Sequence, residues 1–265
     1  MVVRNDTPIE KVTSSIFVKR EDLATLPPGP PFSKTRGLFQ HLFLLSRLGI
    51  RCVGYVETAI SMAGWAVAWL GKKMNMKVII FDPQYKDDSK FPLPLHRQKW
   101  RQFGAQLVKM KAGRACVNWY IARRWMKKNV HQPWKLLPLG LPLNETALET
   151  FAQARKCIKD FPTIVVPVGS GTIACGIARA LYRNQRLVGV MSRTGDVRRK
   201  FKFVVKWCEY PTHVDIVDPG YPYTKKVDIK TPFPCNPYYD TKAWQWLLEH
   251  EDELEKPILF WNIGA

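Results

Sequence analysis

Closely spaced cysteines are absent from this sequence. The six cysteines are spread between Cys52 and Cys235 with no CxxC pair, and the five histidines are equally scattered. This spacing argues against a structural zinc site and against a disulfide framework. We therefore expect no bound metal, and we expect thiols that stay reduced in a cytosolic setting.

Long apolar runs are also missing. The most hydrophobic stretch, MAGWAVAWLG at 62–71, is about half as long as a membrane-spanning helix must be. The first residues, MVVRNDTPIEKV, contain no apolar signal core. The sequence thus predicts a soluble, cytoplasmic protein that uses no membrane.

Acidic residues are few relative to basic ones. The chain has 22 Asp and Glu against 41 Lys and Arg, a formal net charge of +19 in 265 residues. This surplus exceeds what solubility requires and favours a polyanionic partner such as nucleic acid; a generally basic enzyme surface is the alternative. The candidate nucleic-acid contacts are Arg114, Arg123, Arg124, Lys127, Lys128, Arg198, Arg199 and Lys200.

Aromatic residues are interleaved with the first of these basic clusters, at Trp119, Tyr120 and Trp125. Such a mixture suits a phosphate backbone with stacked bases. It suits equally a solvated helix face whose aromatic side chains turn to the core. Both interpretations remain open at this point.

Strand-like and helix-like segments alternate along the chain. The predicted strands are 51–57, 77–83, 105–110, 163–168, 186–192 and the terminal PILFWNIGA. The predicted helices are about 35–48, 61–74, 93–104, 115–129, about 145–158, IACGIARALYRN after Thr172, and 241–255. The segment WKLLPLGLPLN is predicted as a loop. The alternation predicts an α/β fold with doubly wound, mostly parallel sheets.

A glycine-rich turn, Gly169-Ser170-Gly171-Thr172, follows the apolar strand TIVVPV and precedes a helix. Glycines let backbone N–H groups turn towards an anion, and the helix N-terminus adds partial positive charge. The turn lacks the lysine of a Walker loop and the full GxGxxG spacing. It predicts a site for a single phosphate, with a plain strand-to-helix turn as the alternative.

Lys34 lies at the start of a helix, where the helix dipole favours anions over cations. Ser33 is predicted as the N-cap, and Arg36 adds a second cation. We expect a lowered pKa for Lys34 and hence more neutral amine at neutral pH. A neutral amine and a site for a single phosphate are the least that a protein needs to bind pyridoxal phosphate (PLP) as a Schiff base.

Several segments, in order along nearly the whole chain, resemble the fold type II PLP enzymes, the tryptophan synthase β-like superfamily. Within it they are most similar to the branch of aminocyclopropane-carboxylate deaminase and D-cysteine desulfhydrase. The matching segments are TPIEKV, IFVKREDL, SKTRG, ETAISMAGWAVAWLGKKMNMKVIIFDP, VGSGT and ILFWNIGA. The resemblance implies two lobes: a larger PLP-binding lobe of 1–50 and 140–265, and a smaller inserted α/β lobe of 51–139.

The resemblance also implies roles for individual residues. Lys34 would form the Schiff base, and Gly169 to Thr172 would bind the cofactor phosphate. The implied ligands of the substrate carboxylate are Thr58, Ser61 and Gly64, and the candidates for ring stacking or acid–base work are Tyr221 and Tyr223.

Two positions depart from the family pattern. Met62 stands where family members commonly have an asparagine beside the ring hydroxyl of the cofactor. Ile263 stands where a polar residue is expected near the pyridine nitrogen. The choice among elimination, deamination, β-replacement and decarboxylation stays open.

Three functions are consistent with these residues. The first is a PLP-dependent, lyase-like enzyme. The compact basic chain also resembles phage enzymes that build hypermodified bases. That resemblance implies that the substrate is an amino acid attached to thymine in DNA. The second is a catalytically degenerate PLP-fold protein that serves as a nucleic-acid-binding module. The third is a Rossmann-like nucleotide binder. The resemblance further implies a homodimer and, for a viral protein, the host cytoplasm.

Overall fold

The computed structural model describes residues 3–265 of the chain. The strands in this range are β1 (Ile9–Lys11), β2 (Ile16–Arg20), β3 (Cys52–Val56), β4 (Lys77–Gln84), β5 (Gln106–Lys111), β6 (Trp134–Leu136), β7 (Thr163–Val168), β8 (Arg186–Met191), β9 (Val214–Val217) and β10 (Ile258–Asn262). The α-helices are α1 (Thr35–Arg47), α2 (Ala63–Lys73), α3 (Leu93–Gln102), α4 (Ala115–Asn129), α5 (Asn144–Cys157), α6 (Thr172–Ala180), α7 (Val197–Val204) and α8 (Asp240–Glu249).

The predicted elements occur with shifts of up to four residues at their ends, the largest at the end of α6, and two predictions were wrong. The predicted loop at WKLLPLGLPLN contains β6, because Trp134 to Leu136 pair in parallel with β3. The last helix ends at Glu249 rather than at 255, and a short 3₁₀ turn, Glu251–Glu253, follows it. In the first case, pairing with a strand distant in sequence overrides the local pattern. In the second case, a local turn ends the helix early.

The described chain divides into two compact units. Among residues 3–265, unit 1 contains the chain up to Pro27, Pro31–Gly37 and Leu143–Ala265. Unit 2 contains Pro28–Pro30 and Leu38–Pro142. The lobes expected from the resemblance, 1–50 with 140–265 and 51–139, stay a prediction.

Unit 1 is built on a six-stranded sheet of order β1-β2-β10-β7-β8-β9. Only β1 pairs antiparallel, with β2, and the other neighbours are parallel. Successive side chains of a strand face opposite sides of the sheet. On β10, Ile258 and Phe260 therefore pack against Trp244 of α8, while Leu259 and Trp261 face the core beneath α5 and α6. Helices thus cover both faces.

Unit 2 is built on a four-stranded, all-parallel sheet of order β5-β4-β3-β6. Val56 and Phe81 pack against Met126 of α4 on one face. On α2, a Cβ at Gly71 would lie 2.2 Å from a methyl group of Val78, so glycine permits the close approach to β4. The predicted doubly wound, mostly parallel α/β architecture is confirmed.

Between residues 3 and 265, no helix combines the length and the apolar character that crossing a membrane requires.

Candidate active site

The glycine-rich turn lies at the carboxyl end of β7, which is where parallel α/β sheets commonly bind ligands. Lys34 reaches it within unit 1: its Nζ lies 2.9 Å from the hydroxyl oxygen of Ser170. The Ser170 hydroxyl lies 2.9 Å from that of Thr172, the first residue of α6. The structure therefore brings together the lysine and the loop that the sequence suggested separately.

Gly171 shapes this loop. Its φ of +93° lies in the left-handed region, and it is the N-cap of α6. A Cβ at this position would lie 2.9 Å from Cδ1 of Phe203, and left-handed backbone already disfavours a side chain. Glycine is thus the residue that lets the chain turn here and start α6 with its N–H groups at the loop.

Lys34 is buried, and burial lowers the pKa of its amine to about 7, with a further lowering from the positive charge of Lys200. The direction agrees with the sequence-based expectation, but the cause differs. The second cation was expected to be Arg36, whose guanidinium instead donates to the Arg4 carbonyl at 2.8 Å and forms a buried ion pair with Glu21. A lysine with this pKa is largely neutral slightly above pH 7.

The predicted N-cap at Ser33 is wrong. Helix α1 begins at Thr35, whose hydroxyl donates to the Phe32 carbonyl at 2.6 Å. The buried Oγ of Ser33 has no hydrogen-bond partner among residues 3–265. This leaves a polar atom directly beside Lys34 that a ligand can bind.

The carboxyl end of β10 lies beside that of β7, because the two strands are parallel neighbours. Its continuation joins the Lys34 segment: the Ser33 N–H donates to the Ile263 carbonyl at 3.0 Å. The N–H of Ile263 in turn donates to Oδ1 of Asp240 at 2.7 Å. Two hydrogen bonds thus connect the residue before Lys34 to a carboxyl group.

Asp240, the first residue of α8, is fully buried. Burial raises the pKa of its carboxyl well above the usual range, and the neighbouring Asp22 raises it further. Within the described residues, neither Oδ2 of Asp240 nor Oδ1 of Asn262 has a hydrogen-bond partner. Buried polar atoms without partners are costly, so their grouping favours a polar ligand at this point.

These residues fit a PLP cofactor. The loop offers N–H groups and hydroxyls for one phosphate, Lys34 offers an amine, and Asp240 offers a carboxyl oxygen that can share a proton with a ring nitrogen. Sequence reasoning missed Asp240. The available signal was a lone acidic residue in PYYDTKAW, at the start of a predicted helix.

Tyr221 and Tyr223 belong to unit 1, on the segment before α8. The hydroxyl of Tyr221 donates to the Gln245 side chain at 3.1 Å, and that of Tyr223 lies 3.2 Å from the hydroxyl of Tyr239. Fully buried Lys242 donates to the Tyr223 carbonyl at 3.4 Å and so helps to hold this segment. The roles of the two tyrosines in stacking or acid–base work stay a prediction.

Thr58, Ser61 and Gly64 belong to unit 2, between β3 and α2. The backbone N–H groups of Thr58 and Gly64 donate to the buried carboxyl of Glu57, at 2.9 and 2.6 Å. Burial raises the pKa of Glu57 to about 8. The loop is thus organised around an internal carboxyl group, and binding of a substrate carboxylate stays a prediction. Met62 is buried at the N-terminus of α2.

The basic cluster on α4 and at its N-cap, Arg114, belongs to unit 2. Its cations are solvent-exposed, namely Arg114, Arg123, Arg124, Lys127 and Lys128. Of the interleaved aromatic residues, Trp119 donates to the Leu137 carbonyl at 3.0 Å and Trp125 packs edge-on against Phe81. Only Tyr120 of these three is largely exposed. The aromatic residues therefore serve mainly the core, while the cations form a solvated face.

The basic cluster on α7 belongs to unit 1. Arg198 and Arg199 are exposed, as a nucleic-acid contact requires. Lys200 is turned inward, with its Nζ 2.8 Å from the carbonyl oxygen of Gly169. The structure thus separates Lys200 from its neighbours in sequence.

The chain resembles known proteins along most of its length. A family model described as pyridoxal-phosphate dependent enzyme matches residues 3–229. A protein of Pseudomonas phage M6, named glycyl-dTMP PLP-dependent decarboxylase, is 35% identical over 99% of this chain and 100% of that protein. Among solved structures, an ACC deaminase homologue superposes with a TM-score of 0.82 at 20% identity, covering 100% of this chain and 90% of that one. The O-acetylserine dependent cystathionine beta-synthase from Helicobacter pylori superposes with a TM-score of 0.66 at 17% identity, covering 98% and 92%. At these identities the two structures establish the fold alone.

Proposed function

Because the chain belongs to the family of pyridoxal-phosphate dependent enzymes, we propose that it decarboxylates an amino acid carried by a thymine nucleotide. The observation that carries this proposal is the 35% identity to the phage glycyl-dTMP decarboxylase along the full length of both proteins. Family membership confirms the expectations of a PLP cofactor and an enzyme. Family membership also argues against the third hypothesis, a Rossmann-like nucleotide binder.

The site of unit 1 supports this chemistry. When bound, the cofactor supplies an electron sink for the electron pair left at a carbon whose bond breaks. We assign to Lys34 the attachment of the cofactor and the transfer of a proton at the α-carbon, for which its neutral amine is suited. We assign to the 169–172 loop the binding of the cofactor phosphate. We assign to Asp240 the sharing of a proton with the ring nitrogen.

Asp240 argues against the hypothesis that the protein has lost its catalytic activity. That alternative rested partly on Ile263, which lacks the polar side chain expected near the pyridine nitrogen. The backbone N–H of Ile263 is bonded to Asp240, whose second carboxyl oxygen has no partner among residues 3–265. A carboxyl group adjacent to Ile263 can supply the missing polar atom.

The basic surfaces support a substrate with phosphate groups. The four exposed cations on α4 from Arg123 to Lys128, and Arg198 and Arg199 on α7, suit nucleotide or DNA phosphates. We infer that the modified thymine is presented within DNA. Such an enzyme would act in the cytoplasm of the infected host, and the homodimer stays a prediction.

The test uses the purified chain with PLP and two substrates, glycyl-dTMP and duplex DNA that contains the same modified thymine. Mass spectrometry of the nucleoside should show the loss of one CO₂, and Lys34→Ala should abolish it. Conversion of the nucleotide but not of the DNA would refute the polymeric substrate. Full cofactor binding without CO₂ loss from either would refute the reaction.

A further inference from the structure

Helix α7 lies against the glycine-rich loop through two side chains, Lys200 and Phe203. A Cβ at Gly171 would lie 3.2 Å from Cδ of Lys200 and 2.9 Å from Cδ1 of Phe203. The Nζ of Lys200 donates to the carbonyl oxygens of Gly169 and Ser170, at 2.8 and 3.2 Å. These two bonds fix the lysine ammonium group on the loop.

The charges around this loop are unbalanced. Lys200 has no ion pair with a carboxylate in the described part of the chain. Arg193 and Arg199 lie near enough to lower the pKa of Lys200, after the larger effect of burial. The residues of the loop itself carry no charge. A concentration of cations around neutral residues favours an anion at this place.

We propose that Lys200 supplies the positive charge that holds the cofactor phosphate at the 169–172 loop. The proposal rests on the site assigned above and goes beyond it, because backbone N–H groups and hydroxyls alone provide no full charge. Lys34 cannot serve in this way, since its amine is used to attach the cofactor. Hydrogen bonds to the two carbonyl oxygens hold the Lys200 ammonium group at the loop.

The test compares PLP with pyridoxal, which has the same ring and aldehyde but no phosphate. Lys200→Met removes the charge and keeps most of the stem, and Lys200→Arg restores the charge. Lys202→Met is the matched control, because Lys202 lies on the same helix and is exposed. The dissociation constants of PLP and pyridoxal are measured on the full chain by quenching of tryptophan fluorescence.

We expect Lys200→Met to weaken PLP binding on the order of tenfold, the effect of losing one charge-assisted contact. Pyridoxal binding should stay unchanged, Lys200→Arg should recover most of the PLP affinity, and Lys202→Met should behave like the wild type. Inorganic phosphate should compete with PLP less effectively in Lys200→Met.

Three outcomes would overturn the proposal. Equal losses for PLP and pyridoxal would mean that Lys200 merely supports the loop. Unchanged PLP affinity would exclude a role in phosphate binding. A loss of dTMP affinity, measured by the same fluorescence quenching, with the PLP affinity unchanged would assign the charge to the substrate phosphate. The site itself is tested separately: if the visible band of lysine-bound cofactor persists in Lys34→Ala, the site is wrong, whatever Lys200 does.

Discussion

We predict that the proposed attachment of the cofactor to Lys34 depends on pH through the burial of this lysine. An ordinary lysine with a pKa of 10.5 is roughly 0.03% neutral at pH 7, whereas a lysine with a pKa of about 7 is about half neutral. The reactive fraction is therefore more than about a thousandfold larger at pH 7. Since the neutral amine attacks the aldehyde, the capture rate should rise with pH, pass its midpoint near 7 and then level off.

Stopped-flow absorbance of the visible band, after mixing cofactor-depleted protein with PLP between about pH 5.5 and 9, measures this rate. A small lysine derivative in solution, treated identically, corrects for ionisation of PLP itself. Lys34→Ala should show no band at any pH. Lys200→Met should move the midpoint upward, because the Lys200 charge is the second cause of the lowered pKa. A rate that climbs through pH 9 without a plateau would refute the reasoning.

The remaining predictions concern the loop, the carboxyl group and the basic face. Gly171→Ala should lower the free energy of unfolding in urea by about 1–3 kcal/mol because of its positive φ; Gly169→Ala, where the nearest atom is 3.7 Å from the added Cβ, should cost less. Equal costs would contradict this reading of the loop. Asp240→Asn should slow CO₂ release on the order of a hundredfold while changing PLP affinity little; an unchanged rate would remove Asp240 from the chemistry. Replacing the α4 cations by serine should weaken DNA binding and flatten its dependence on salt, in electrophoretic shifts at several salt concentrations; a retained slope would place the DNA elsewhere. The residues replaced are Arg123, Arg124, Lys127 and Lys128.

Local patterns were sufficient for the main elements of the fold. The run TIVVPV is buried throughout as β7, and the predicted helix over 115–129 is α4 without any shift. Strand β6 was missed because three residues carry too little periodicity, and only pairing with β3 makes them a strand. The sequence likewise could not show which aromatic residues of α4 face the core, since both interpretations suit the same spacing.

The sequence by itself determined the family, the cofactor and the two segments expected to bind it, because these depend on short motifs whose backbone geometry is local. The lysine at a helix start and the glycine-rich turn after a buried strand are of this kind. Only the tertiary structure decided what surrounds them. Asp240 is 206 positions from Lys34 in the numbering, and two hydrogen bonds through Ile263 connect it to Ser33, the residue before Lys34. Lys200 resembles its neighbours in sequence, yet the packing of α7 turns it onto the loop. Burial and charge depend on such distant neighbours, so the lowered pKa of Lys34 could be anticipated from the sequence in direction but not in cause.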